Sequence, residues 1–260
     1  MKEFENRIAI VTGTTGIGKA IALRLASGGC GVVACGIDPS ANSQLAHEAA
    51  ANPLMLRVEP CDVSRPEQVQ ALVAKTVGLF GGLDIIVNAA AIHPFGTAVE
   101  TDPLTWNECM MVNVGGAYLL AHFGIPEMRK RGAGAILNIS SVQGRACQKG
   151  VAVYATSKGA LHSLTRALAL DHAAENIRVN SISPGSIRTP MLERSASHFG
   201  PNLPLETVLQ RFGRAHPMQR IGTPEEVAEL AAFLLSDKAG FCTGADYQID
   251  GGLLAGIGVQ

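Results

Sequence analysis

The sequence is poor in the features that mark several large classes of protein. Aromatic residues make up only 5% of the 260 residues, and the net charge is −1. With 22 acidic against 21 basic side chains, no electrostatic footprint points to nucleic acid or an anionic membrane. The six cysteines (Cys30, Cys35, Cys61, Cys109, Cys147 and Cys242) form no CxxC pair, and the seven histidines no HxxxH or HExxH spacing. A metal site and a disulfide framework are therefore not expected, and the cysteines read as small buried hydrophobes. Apolar stretches are broken by charge or glycine short of the roughly 20 residues a membrane span needs. The polar start Met1-Lys2-Glu3-Phe4-Glu5-Asn6-Arg7 does not read as a secretory signal, so a cytoplasmic location is expected.

What is abundant is small and aliphatic. Hydrophobic residues reach 47%, so a core of Ala, Val, Ile and Leu is expected. Apolar, β-branched runs at 7–11, 31–35, 54–58, 83–87, 135–139, 177–182 and 247–249 read as strands. Helical spacing follows at 19–26, 42–51, 66–78, 103–115, 118–129, 154–174 and 224–235. Ser64, with Glu67 three residues on, resembles a capping box for the helix at 66–78. This alternation predicts an α/β fold: a doubly wound parallel sheet of six to seven strands with helices on both faces, one domain over 1–260. The segment 183–223 reads as one long irregular loop, expected to serve substrate.

Two constellations carry chemistry. Gly13, Gly16 and Gly18 stand where the first strand hands over to the first helix, so backbone N–H groups can approach a pyrophosphate. A tight structural turn would use the same glycines. Tyr154 and Lys158 are four residues apart on one helical face, and Ser140-Ser141 ends the fifth strand at the carboxyl edge of the sheet. A phenol ordinarily titrates near 10, and an adjacent ammonium favours the phenolate, which makes the pair an acid/base for an alcohol. A surface Tyr and Lys on an amphipathic helix would show the same spacing.

Taken together these motifs resemble the short-chain dehydrogenase/reductase family over nearly the whole chain. The glycine turn, Asp62-Val63, the strand end Asn88-Ala89-Ala90-Ala91, Asn113, Ser141, Tyr154, Lys158, Pro184-Gly185, Thr189 and Asp250-Gly251-Gly252 follow in the family's order. The resemblance implies a Rossmann-like, NAD(P)-dependent oxidoreductase that interconverts a secondary alcohol and its carbonyl. It assigns catalysis to Asn113, Ser141, Tyr154 and Lys158, with Asn113 holding a relay water and Lys158 the ribose. Cofactor contacts fall on Gly13, Thr15, Gly16, Ile17, Gly18, Asp38, Asp62, Val63, Asn88, Ala89, Ala90, Tyr154, Lys158, Pro184, Gly185, Ile187 and Thr189. Relatives also imply a homodimer or homotetramer, paired through helices that here carry Ala117, Leu120, Ala121, Ala160, Ala167 and Ala169.

Substrate contacts are expected from Ser141, His93, Gln143 and Gln148, with Met191, Arg194, His198 and Phe199 facing the same pocket. Their polarity suggests a polyol, sugar or hydroxy acid. Thr15, Gly36 and Ile37 occupy the places where NADP-preferring relatives carry a cation, and Asp38 would repel a 2′-phosphate, so NAD is expected over NADP.

Two departures stand out. Only Thr14 and Thr15 separate Gly13 from Gly16, where the family has three residues, and Ala89 and Ala91 replace Asn and Gly. The lost backbone contact predicts NAD binding weaker by about one to two powers of ten. A degenerate dinucleotide fold with a binding or structural role is the alternative these departures leave open.

Overall fold

The computed structural model describes residues 2–52 and 54–256. Seven strands form one parallel sheet: β1 (Ile8–Thr12), β2 (Gly31–Gly36), β3 (Leu56–Pro60), β4 (Ile85–Asn88), β5 (Gly134–Ile139), β6 (Ile177–Pro184) and β7 (Asp246–Ile249). Their order is β3-β2-β1-β4-β5-β6-β7. The chain winds outward from β1 to β3, then returns to β1 and winds the other way. A crevice therefore opens outside the carboxyl ends of β1 and β4, where connections leave in opposite directions.

Alternate residues of each strand enter different cores, because strand side chains point to opposite faces in turn. Ala9 and Val11 pack with Ile21 and Leu25 of α1 (Gly16–Ser27), Leu45 of α2 (Pro39–Ala51) and Ala231 of α9 (Pro224–Leu235). Ile10, between them, packs with Val69 and Leu72 of α3 (Pro66–Phe80) and Leu120 of α5 (Gly116–Arg131). Burial on both faces accounts for the unbroken apolar runs.

Several local expectations need correction. The helices expected at 103–115 and 118–129 are one continuous helix, in which α4 (Pro103–Met110) runs through a π-helical turn at Met111–Gly115 into α5. The paired glycines Gly115-Gly116 suggest a break, but both keep helical backbone angles. By length and apolarity Pro103–Arg131 would suffice to cross a membrane, contrary to the expectation that no stretch would. Half of its most apolar window is buried within the protein, as in a core helix.

The capping box at Ser64 does not form. The Ser64 hydroxyl donates to Asp62 Oδ1 at 2.7 Å, and Arg65 occupies the cap position of α3 with no side-chain bond. The loop expected at 183–223 contains α7 (Pro190–Phe199) and α8 (Leu205–Arg214), which pack together through Ala196, Val208 and Leu209. Thr189 caps α7 by accepting from Leu192 N at 3.2 Å, with Pro190 in the first turn, a start signal that the polar surroundings masked. The long helix after Ser141 is α6 (Ala152–His172). Of the small residues expected at a subunit contact, Ala117, Leu120, Ala121 and Ala169 are buried within this chain. The outward surface of these helices instead shows Leu104, Met111, Tyr118 and Leu170.

Candidate active site

The glycine turn begins at Gly13, whose N–H donates to Cys35 O at 2.7 Å. Gly13 and Gly16 have φ of +90° and +51°, which only glycine adopts freely. A Cβ on Gly18 would lie 2.3 Å from Gly13 O, so α1 can sit this close to the turn only without a side chain. Thr15 caps α1 without a side-chain bond to its N–H groups. The first donors of the helix are thus left facing the cleft. That cradle fits a pyrophosphate.

The cleft has a volume of about 1320 Å³ and runs from this turn to Tyr154. It is lined by Thr15, Ile17, Asp38, Asp62, Val63, Ala89, Ala90, Pro184, Gly185, Ile187 and Thr189, all among the expected cofactor contacts. Asn88 is not among its walls. Its amide donates to Asn138 Oδ1 at 2.7 Å, and Asn138 donates on to Thr165 of α6, so Asn88 ties β4 to β5 and the catalytic helix. Thr12 carries no motif signal, yet its hydroxyl accepts from both Ala89 N and Ala90 N at 2.9 Å and so shapes the cleft wall. Asp38 caps α2, one carboxylate oxygen accepting from Ser40 N and Ala41 N.

Ser141, Tyr154 and Lys158 meet at the carboxyl edge of β5. Ser141 Oγ accepts from Gln143 N at 3.1 Å. The neighbouring Ser140 hydroxyl is committed to Lys158 O at 2.9 Å, which leaves Ser141 for the cleft, as strand alternation predicts. Burial pushes the Tyr154 phenol up to about 12, against the opposing effect of the Ser141 hydroxyl. Burial also brings the Lys158 ammonium down to about 8. The expected lowering of Tyr154 by Lys158 is thus not what sets the phenol here. Lys158 Nζ is held by Ile139 O at 2.8 Å, and desolvation of the phenol dominates.

Asn113 lies in the π-helical turn, a geometry frequent at functional sites. Its side chain is fully used: Oδ1 accepts from Ile92 N at 2.8 Å, while Nδ2 donates to Ile92 O at 3.0 Å and Ser157 Oγ at 2.9 Å. It does not line the cleft. These bonds clamp the segment that carries His93.

His93, Gln143, Gln148, Met191 and Arg194 line the cleft. The His93 ring meets Tyr154 edge-on, 4.1 Å between centroids. Burial, then the charges of Lys158 and Arg194, bring His93 down to about 4, so it is neutral at physiological pH. His93 Nδ1 and Gln143 Oε1 are buried without a hydrogen-bond partner among the described residues, whereas Gln143 Nε2 donates to Gln148 Oε1 at 3.2 Å. His198 and Phe199 do not line the cleft. They pack on Phe95, His198 stacked at 3.9 Å and Phe199 edge-on at 5.5 Å, and so fasten α7 over the site.

A parallel sheet with this switch-point crevice, glycine turn and Ser-Tyr-Lys set defines a nucleotide-dependent oxidoreductase. The chain belongs to the short-chain dehydrogenase/reductase family, whose members of this kind are NAD(P)-dependent and act on CH–OH groups. The family model described as enoyl-(acyl carrier protein) reductase matches residues 11–254. Cyclohexanol dehydrogenase of Acinetobacter sp. (strain SE19) is 34% identical over 253 residues, covering 96% of this chain and 95% of the relative. L-fucose dehydrogenase of Bos taurus is 38% identical over 258 residues, covering 98% and 92%. The crystal structure of L-sorbose reductase from Gluconobacter frateurii, complexed with NADPH and L-sorbose, superposes with a TM-score of 0.93 at 31% identity, covering 99% of this chain and 100% of that one.

Proposed function

We propose that Tyr154 is the general acid/base of an NAD-dependent oxidation of a small polar secondary alcohol. The observation that carries this reading is the convergence of Tyr154, Ser141 and Lys158 at the sheet edge, within one cleft that also holds the glycine turn. The bound nicotinamide would supply hydride acceptance or donation. Ser141 orients the reacting oxygen by hydrogen bonding, and Tyr154 takes or returns its proton. Lys158 leaves the Ile139 carbonyl to hold ribose hydroxyls and to support the phenolate. Asn113 keeps the wall at Ile92 and His93 in place.

The adenosine end supports NAD. The first N–H groups of α2 are already bonded to Asp38, so a 2′-phosphate would meet a carboxylate and no free helix donor. Arg65, 3.8 Å from Asp62, is the cation lining that end among the described residues. Because L-sorbose reductase is complexed with NADPH, the choice needs direct comparison of the two nucleotides.

The unpartnered His93 Nδ1 and Gln143 Oε1 favour a substrate with several hydroxyls, a polyol or sugar, over a hydroxy acid. Named relatives that act on L-fucose and L-sorbose support the same class. Exposed Leu104, Met111, Tyr118 and Leu170 fit burial between copies in a homodimer or homotetramer, to be checked by sedimentation. The cysteines, all free, suit a reducing cytoplasm. Screening sugars, polyols, hydroxy acids and cyclic alcohols with NAD and NADP, following the reduced nucleotide, tests the reading. Turnover confined to apolar alcohols would overturn the substrate class.

A further inference from the structure

The shortened glycine turn is not left slack. Thr14, between the two positive-φ glycines, is buried, and its hydroxyl donates to Asn42 Oδ1 at 2.8 Å. The other end of the same amide donates to Gly36 O at 2.9 Å. Asn42 thus bridges α2 to the turn and to the last residue of β2. The bridge passes directly over Gly36, where a Cβ would lie 2.6 Å from Thr14 Oγ1 and 3.1 Å from Asn42 Oδ1. Gly36 is therefore small because the bridge needs its space. Asn42 neighbours the buried stripe Ala41, Leu45 and Ala49 that seats α2 on the sheet, so its amide is delivered from a rigid element.

We propose that Asn42 stands in for the residue the turn lacks, as a positioning residue that holds Thr14 and with it the path from Gly13 to Gly16. A turn with glycine at both ends has many accessible conformations, and each must be given up when its N–H groups converge on a phosphate. A bridge made before the nucleotide arrives removes part of that entropy cost, which is how preorganisation raises affinity. On this reading the short turn is a fitted geometry and not a deficit. An added residue would carry Thr14 away from Asn42 and restore the slack.

The proposal rests on nucleotide binding in this cleft, and NADH binding to the wild-type protein checks that separately. Calorimetric titration with NADH would be run on wild type, Asn42→Ala, Thr14→Val, the double variant, and a variant with one Gly inserted after Gly13. Asn42→Ala is expected to weaken NADH binding about three- to tenfold, the equivalent of one hydrogen bond. The double variant should be no weaker than the worse single, because both act through one bridge. The insertion should also weaken binding. Amide exchange at 13–16 in the nucleotide-free protein should accelerate in Asn42→Ala, with exchange in β5 and α6 unchanged. Unchanged NADH affinity and unchanged exchange at 13–16 in Asn42→Ala would overturn the proposal, as would tighter binding after the insertion. Failure of the wild-type protein to bind NADH or NADPH would instead strike at the nucleotide reading itself.

Discussion

Lys158 Nζ lies 5.5 Å from the centre of the Tyr154 ring while bonded to the Ile139 carbonyl. With the phenol near 12 and the ammonium near 8, the resting protein at neutral pH holds a neutral Tyr154 beside a charged Lys158. Alcohol oxidation needs Tyr154 as proton acceptor, so kcat/KM for oxidation should rise with pH over the whole range below about 12, and the carbonyl reduction should not. Lys158→Met should move the rising limb to higher pH and weaken NADH binding. A flat oxidation profile across that range would refute the assignment.

Replacing Tyr154 with Phe keeps the buried ring and its edge contact with His93 but removes the proton carrier. Turnover should fall by about 10²–10⁴, with NADH affinity within a few-fold of wild type. Stopped-flow single turnover and NADH titration would check the two halves separately.

His93 makes stability pH-dependent in a stated direction. Its pKa is lowered on folding from 6.5 to about 4. As pH falls through 6.5 the unfolded chain takes up a proton that the folded protein refuses, so the native state loses stability down to about pH 4. The loss is at most about 3 kcal/mol. Urea unfolding at about pH 7 and pH 4.5 should show this slope in wild type and a smaller one in His93→Gln. Equal slopes would place His93 in a more polar setting than its burial shows.

Asn113→Ala removes the clamp on both backbone groups of Ile92 and the bond to Ser157. Unfolding free energy should drop by about 1–3 kcal/mol, and KM should rise because the wall bearing His93 loosens. Asn113→Asp should recover little, since a carboxylate accepts from Ile92 N but cannot donate to Ile92 O.

Asp38→Asn keeps a good helix cap and removes the charge facing a 2′-phosphate. The ratio of kcat/KM for NADP to that for NAD should rise several-fold with little change in melting temperature. A ratio that does not move would mean that the carboxylate plays no part in choosing between the nucleotides.

The βα alternation, the glycine turn, Ser141 over Ser140, and the Tyr154–Lys158 pair were legible in the sequence because each depends on local spacing: period two along a strand, a four-residue step on a helix, a glycine at a turn. What was misread depends on partners distant in the chain. The join between α4 and α5 is held at Asn113 by Ile92 and Ser157, so two glycines did not break the helix. The tie from Asn88 to Asn138 of β5, and on to Thr165 of α6, likewise needs residues distant in the chain. α7 was hidden in a polar segment because its fastening is the stack of His198 on Phe95, from a distant part of the chain.

By itself, then, the sequence determined the order of elements, the two faces of the sheet and the family chemistry, all of which follow from short-range periodicity. Tertiary structure alone decided the charge states of Tyr154, Lys158 and His93, which depend on removal from water by residues remote in sequence. It also decided that a turn one residue short is braced, because Thr14 and Asn42 are neighbours only once β2 and α2 have folded against β1.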